Sequence, residues 1–166
     1  GLTYLAHTHI DTIWDRKEIS LPQLEWKVKE DGSLSHRRVL PNGIAFGAEV
    51  RAHENHVEME LWLENGTSEK LTDLRVQNCV MLKGAKLFNA QSNWNKRLQT
   101  PFALVQSEGG MKWIITAWEK CHRPWANPPV PCIHSDPKFP DLKPGDASSI
   151  KGWVWFYEGE NVDEEL

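Results

Sequence analysis

The chain has 166 residues, with 19 Lys and Arg against 23 Asp and Glu, a formal net charge of −4. That length buries the core of one domain without disulfide or metal staples, and a 40% hydrophobic composition excludes disorder. The mild acidity argues against a phosphate-backbone binder, so no nucleic-acid partner is expected. No membrane partner is expected either, because no apolar run approaches the roughly 18 residues of a span and the amino end does not read as a signal peptide.

Period-two alternation runs through almost the whole chain. A start without Met, on a strand-like Leu2, reads as a piece of a longer or processed chain. The compartment stays open, with secretion or a periplasmic location compatible. In the opening "GLTYLAHTHID" His7, His9 and Asp11 share one face of a strand, with neighbours about 6.6 Å apart. Two imidazoles and a carboxylate so placed can converge on a divalent metal ion. Next, "WKVKEDGSLSHRRVL" is a hairpin turned at Asp31-Gly32. "IAFGAEVRAHENHVEMELWLENGT" is a second antiparallel pair, closed near Glu54-Asn55. In it Val57, Met59, Leu61 and Leu63 face one way, and Glu58, Glu60, Trp62 and Glu64 the other. Its end, Asn65-Gly66-Thr67, matches the glycosylation sequon in a turn.

"LTDLRVQNCVML" reads as a further strand, with Cys79 a buried inert thiol. "GAKLFNAQSNW" holds at most a turn of helix. "FALVQSEGGMKWIITAWE" is a third hairpin, turned at Gly109-Gly110, and "SIKGWVWFYE" is the closing strand. Eight to ten strands with short turns describe an all-β fold, an antiparallel β-sandwich in a single domain over residues 1–166.

One stretch breaks the pattern. "CHRPWANPPVPCIHSDPKFPDLKPGD", residues 121–146, holds seven of the ten prolines and two of the three cysteines. Proline lacks an N–H and fixes φ, so the segment reads as one long Pro-rich loop excluded from any central strand. Loops of this length are usually functional or disordered. Here Trp125, Ile133 and Phe139 point to a packed one. Cys121, His122, Cys132, His134 and Asp136 form a ligand set that zinc accepts, while a Cys121–Cys132 disulfide would exclude that ion. No nucleophile elbow and no phosphate-cradling glycine pattern occurs.

Nine Trp stand against two Tyr. Trp153, Trp155 and Tyr157 align on one strand face, and so do Trp113, Ile115, Ala117 and Glu119. Aromatic platforms beside planar polar groups suit a pyranose, whose C–H face stacks on the ring while its hydroxyls take paired hydrogen bonds. The expected ligand is therefore a carbohydrate, held between a concave sheet face and the Pro-rich loop. Trp118 and Trp125 would stack on it. Arg75, Gln77, Arg123, Asn127 and Asp136 would bind its polar groups, together with His122 and His134. If the protein is an enzyme, His134 or His122 is the general acid or base, since histidine titrates near neutral pH. No large cofactor is expected.

"VEMELWLENGTSEKLTDLRVQNCVML", "KWIITAWEK" and "DLKPGDASSIKGWVWFYEG" together resemble the galactose mutarotase-like β-supersandwich proteins, which include the aldose epimerases. The resemblance covers about the last two thirds of the chain and implies a supersandwich-like fold with a carbohydrate connection. The histidine that follows the second of those strands in the epimerases has no counterpart in "NCVMLKGAKLF". Glu119 and Glu158 match the late catalytic glutamate by position only. A separate resemblance, of "GLTYLAHTH" to the opening of the cupin metal motif, would make His7, His9 and Asp11 ligands of a metal-dependent enzyme. Ile13 and Trp14 stand where that motif has its glutamate. A third alternative is a structural or interaction domain without catalysis.

Overall fold

The computed structural model describes residues 3–166; Gly1 and Leu2, where the first strand-like run begins, lie outside them. Among the described residues, eleven strands carry the fold. In chain order they are β1 (Lys27–Val28), β2 (Leu34–Val39), β3 (Ile44–Ala52), β4 (His56–Asn65), β5 (Val80–Met81) and β6 (Lys96–Gln99), then β7 (Phe102–Gln106), β8 (Lys112–Trp118), β9 (Cys121–Ala126), β10 (Cys132–Pro137) and β11 (Ala147–Glu158). Eight form one antiparallel sheet in the order β1-β2-β3-β4-β11-β8-β7-β6, and three form a second in the order β5-β10-β9. The alternation in the sequence dictates this architecture, because an apolar face repeated on adjacent strands is buried only by a second layer.

The buried face of the large sheet carries Met59, Leu61, Leu63, Ile114, Trp118 and Ile150. Over one half of it lies the small sheet, with Leu82 and Ile133 against Ala103, Val105 and Ile114. Over the other half pack Leu74, Val76 and Phe139, from the irregular chain around the small sheet. The amino-terminal segment extends that layer, with Leu5, Ile13 and Trp14 against Leu40, Ile44 and Leu63. The opposite face stays largely open. A short 3-10 helix, Val162–Glu164, covers only its β7–β8 side, where Val162 packs on Leu104 and Ile115.

Local chemistry sets the turns. Asp31-Gly32 does reverse the chain, through a three-residue loop. Gly32 N–H donates to Lys29 O, Lys29 N–H donates to Ser33 O, and Gly32 takes φ +79°. This is a type I turn closed by a left-handed glycine, because Asp31 keeps negative φ and a two-residue I′ turn needs it positive. Asn65 is fully buried; its Nδ2 donates to Glu69 O and Leu142 O, and its Oδ1 accepts from Thr67. The sequon nitrogen thus ties the end of β4 to the chain before β11 and is closed to glycosylation in the folded state.

Two expectations need correction. The Pro-rich segment is a β-hairpin, β9 and β10, and β10 is the middle strand of the small sheet. Proline is accommodated because Pro124 lies on the edge strand β9 and Pro137 lies where the register shifts at the end of β10. Cys121 pairs opposite Pro137, so it stands at the other end of the hairpin from Cys132, about 17 Å away by strand rise. No disulfide can join them, and all three cysteines are free. The "LTDLRVQNCVML" run contributes only β5 and two isolated bridges, Leu71 to Leu142 and Arg75 to Lys138.

His36, on β2, meets the Trp26 ring edge-on at 4.5 Å. Burial, then the neighbouring Arg38 charge, hold its imidazole below the usual histidine range. The neutral ring is the folded form. Its stabilising contribution is complete above the unfolded value of 6.5 and is lost as pH falls through the lower folded value. The melting-temperature advantage of the wild type over His36→Gln is therefore expected to shrink as pH is lowered below about 6.5, which thermal melts across that range will read.

Candidate functional site

The residues singled out in the Pro-rich segment divide by strand parity. Ile133 and Ser135 point from β10 toward the large sheet, where Ile133 joins the core and Ser135 Oγ donates to Pro101 O. Cys132, His134 and Asp136 therefore occupy the other face of β10, and all three are buried. Opposite them on β9, Trp125 is registered with His134 and Arg123 with Asp136.

This row is tightly interlocked. The His134 imidazole stacks on the Trp125 ring, with centroids 3.9 Å apart and planes 17° apart. The Arg123 guanidinium lies over the same indole at 4.9 Å. Trp125 Nε1 donates to Asp136 Oδ2 at 2.6 Å, Arg123 reaches that oxygen at 3.3 Å, and Asn78 N–H donates to Oδ1 at 2.9 Å. Cys132 Sγ lies 3.1 Å from His134 Nε2. His134 Nδ1 has no hydrogen-bond partner and faces Asp136 Oδ1 at 3.6 Å. All three Asp136 donors are engaged, whereas His134 Nδ1 stays unpartnered on a side chain only 3% exposed.

Cys79 belongs to this cluster. The β5–β10 register pairs Val80 with Ile133, which sets Cys79 beside His134, and its Sγ lies within 4.8 Å of Cys132 Sγ and a His134 ring nitrogen. Cys79 is an exposed residue rather than the buried thiol expected from the sequence, yet partial desolvation of its sulfur, followed by the Cys132 thiol and the Asp136 carboxylate, pushes the thiol up to about 12. It is neutral at pH 7, which removes it as a thiolate nucleophile in the metal-free chain.

The remaining residues named from the sequence lie apart. Arg75 is exposed and pairs with Asp73 at 2.9 Å; Gln77 is exposed, 3.4 Å from His7. Asn127 begins the β9–β10 turn, where its backbone N–H donates to Cys132 O. His122 is exposed on edge strand β9. Trp118 is buried in the core, its ring against Gly152, where any Cβ would overlap it. His7, His9 and Asp11 sit in irregular chain rather than on a strand, and His7 Nδ1 accepts the backbone N–H groups of His9 and Ile10. Among the described residues, only Cys79, Cys132 and His134 bring three ligand atoms within 4.8 Å of one another.

The space between the hairpin and the large sheet is occupied by core side chains, among them Leu82, Val105, Ile114 and Ile133. A cleft of about 520 Å³ lies on the open face of the large sheet. The register puts Trp153 beside Ala117 and Trp155 beside His56 and Ile115, with Phe102 beside Ala117, all on that face. Trp153, Trp155 and Phe102 make an aromatic floor. His56, Asn55, Glu119 and Glu165 supply polar edges, and Trp118 reaches the border. Trp155 Nε1 donates to Glu165 Oε1 at 3.0 Å, the Lys151 backbone N–H donates to Glu119 Oε2 at 3.0 Å, and His56 Nδ1 lies 2.8 Å from Asn55 Oδ1. Of the two glutamates matched by position, Glu119 borders this cleft. Glu158 lies outside it, 3.8 Å from Lys112. The signal for this floor was the shared face of Trp153 and Trp155; its cross-strand partners His56 and Phe102 needed the register.

No protein-family model matches the chain, and no curated protein matches it. Among solved structures, it is similar to Slr1438 from Synechocystis sp. PCC 6803, with a TM-score of 0.51 and 9% identity over 81% of this chain and 66% of that one. A protein assigned as an aldose 1-epimerase, from Escherichia coli K12, matches with a TM-score of 0.52 and 10% identity over 83% of this chain and 69% of that one. A protein assigned as a kojibiose phosphorylase, from the human microbiome, matches with a TM-score of 0.55 and 9% identity, over 84% of this chain and 20% of that one. The chain thus spans about two thirds of the first two and a fifth of the third. The likeness is one of fold alone, an antiparallel β-sandwich.

Proposed function

We propose that this chain is a carbohydrate-recognising β-sandwich domain whose ligand surface is the cleft on the open face of the large sheet. The observation that carries the reading is the pair of half-buried indoles, Trp153 and Trp155, side by side on the cleft floor with His56 and Glu119 at its edge. A sugar ring offers an apolar C–H face to such a floor and hydroxyls to its rim. The assignments of two fold neighbours, a phosphorylase and an epimerase, are consistent with a saccharide ligand. This keeps the ligand class expected from the sequence and moves the surface from the Pro-rich hairpin to the opposite side of the sheet.

The test is a titration with neutral and acidic mono- and oligosaccharides, followed by Trp fluorescence. A saturable change is expected. Trp153→Ala should weaken the apparent Kd about five- to tenfold, the loss of roughly 1 kcal/mol of stacking, with little change in stability. Silence of the wild type across both sugar classes would remove the reading.

A further inference from the structure

The cluster on the other face of the small sheet has no part in the proposed sugar surface, and its chemistry is that of a metal site. We propose that Cys79 Sγ, Cys132 Sγ and His134 Nε2 bind one thiolate-seeking divalent ion of the zinc class, with Asp136 as the carboxylate behind the histidine.

Donor type comes first. Two sulfurs and an imidazole nitrogen select zinc and its analogues over the oxygen-seeking calcium and magnesium. Geometry comes next. Zn–S near 2.3 Å and Zn–N near 2.0 Å in a tetrahedron put ligand atoms about 3.5–3.8 Å apart. The three donors already lie within 4.8 Å of one another, and Cys132 Sγ is 3.1 Å from His134 Nε2. Reaching that spacing takes side-chain shifts on the order of 1 Å.

The surroundings are the stronger argument. A metal-bound histidine characteristically gives its other ring N–H to a carboxylate, which orients the ring and fixes the tautomer. Here Nδ1 has no partner, is buried, and faces Asp136 Oδ1 at 3.6 Å. Asp136 is in turn held by Asn78 N–H, Trp125 Nε1–H and Arg123. Trp125 stacks on the imidazole at 3.9 Å and restrains its plane. The donors are therefore pre-oriented from behind. An alternative Cys79–Cys132 disulfide would use the two sulfurs and leave this histidine arrangement without a role.

Binding is balanced as two Sγ–H bonds broken and two S–metal bonds formed. Two protons go to solvent, and no atom changes oxidation state. Three protein ligands leave a fourth tetrahedral position, which water or an added ligand would fill. Cys121 and His122, included with the zinc ligands in the reading from sequence, take no part, because they stand at the far end of the hairpin.

The full chain, reduced and stripped with a chelator, should take up one Co²⁺ per chain and develop a thiolate-to-cobalt charge-transfer band that one equivalent of Zn²⁺ abolishes. Cys79→Ser, at an exposed residue where folding is safe, should remove most of the band and weaken zinc at least tenfold in competition with a chromophoric chelator. Cys121→Ser should change neither. The proposal is overturned if the wild type gives no charge-transfer band. It is equally overturned if Cys79→Ser leaves the band intact, or if the zinc-incubated wild type in air loses two mass units to a Cys79–Cys132 disulfide.

Discussion

Trp118→Ala is expected to lower the free energy of unfolding by about 3–5 kcal/mol, the range for deleting a large aromatic from a packed core. Trp118 is only 3% exposed and sits with Phe139 and Ile150 where the large sheet meets the irregular layer. Its ring lies directly on Gly152, the position on β11 where no side chain fits. Neither neighbour can collapse into the hole: Gly152 is fixed by ladders to β4 and β8, and Ile150 is already fully buried. The loss will appear in urea denaturation as a lower midpoint with an unchanged slope. The same truncation at half-buried Trp153 should cost far less stability and act on ligand affinity instead. The contrast separates an indole that fills a core from one that forms a platform. A Trp118→Ala variant as stable as the wild type would mean that the interior of this sandwich is assigned wrongly.

Asp136→Ala should cost about 2–4 kcal/mol, because burial multiplies the penalty for donors left without an acceptor. The carboxylate takes Asn78 N–H, Trp125 Nε1–H and Arg123. Arg123 contributes least to the loss, since its head is solvated and exposed ion pairs are weak. Asn78 and Trp125 contribute more, because their N–H groups point into the protein. Asp136→Asn preserves one acceptor oxygen, so its cost should fall between wild type and alanine. A near-UV circular dichroism spectrum will report the Trp125–His134 stack: alanine should disturb it, and asparagine should leave much of it. Equal stability of all three would show that this network is not holding the hairpin.

Strand parity made most of the architecture readable. The two faces of "VEMELWLE" appear in β4 as a core face and an open face, with Met59, Leu61 and Leu63 inside. The turns near residues 31, 54 and 109 all reverse the chain between the strands expected. The Pro-rich hairpin was misread for a definite reason. Proline forbids an N–H, not a strand, and whether an N–H is needed depends on which side of the strand has a neighbour. That is a property of the sheet order. The cluster around His134 was only half legible: Cys132, His134 and Asp136 share parity and were named together, but Cys79 is more than fifty residues away. Nothing in its own stretch marks it, and the β5–β10 ladder alone brings it in.

By itself, then, the order of residues settled that this is an antiparallel all-β chain with nine indoles against two tyrosines. Each of those follows from side-chain period and composition, which are local. The tertiary structure decided which indoles are buried and which line a cleft, that the cleft opens away from the Pro-rich hairpin, and that two cysteines and a histidine meet. Those outcomes rest on register between strands distant in the chain. Register is set by how two complete faces fit together, and no single segment carries that information.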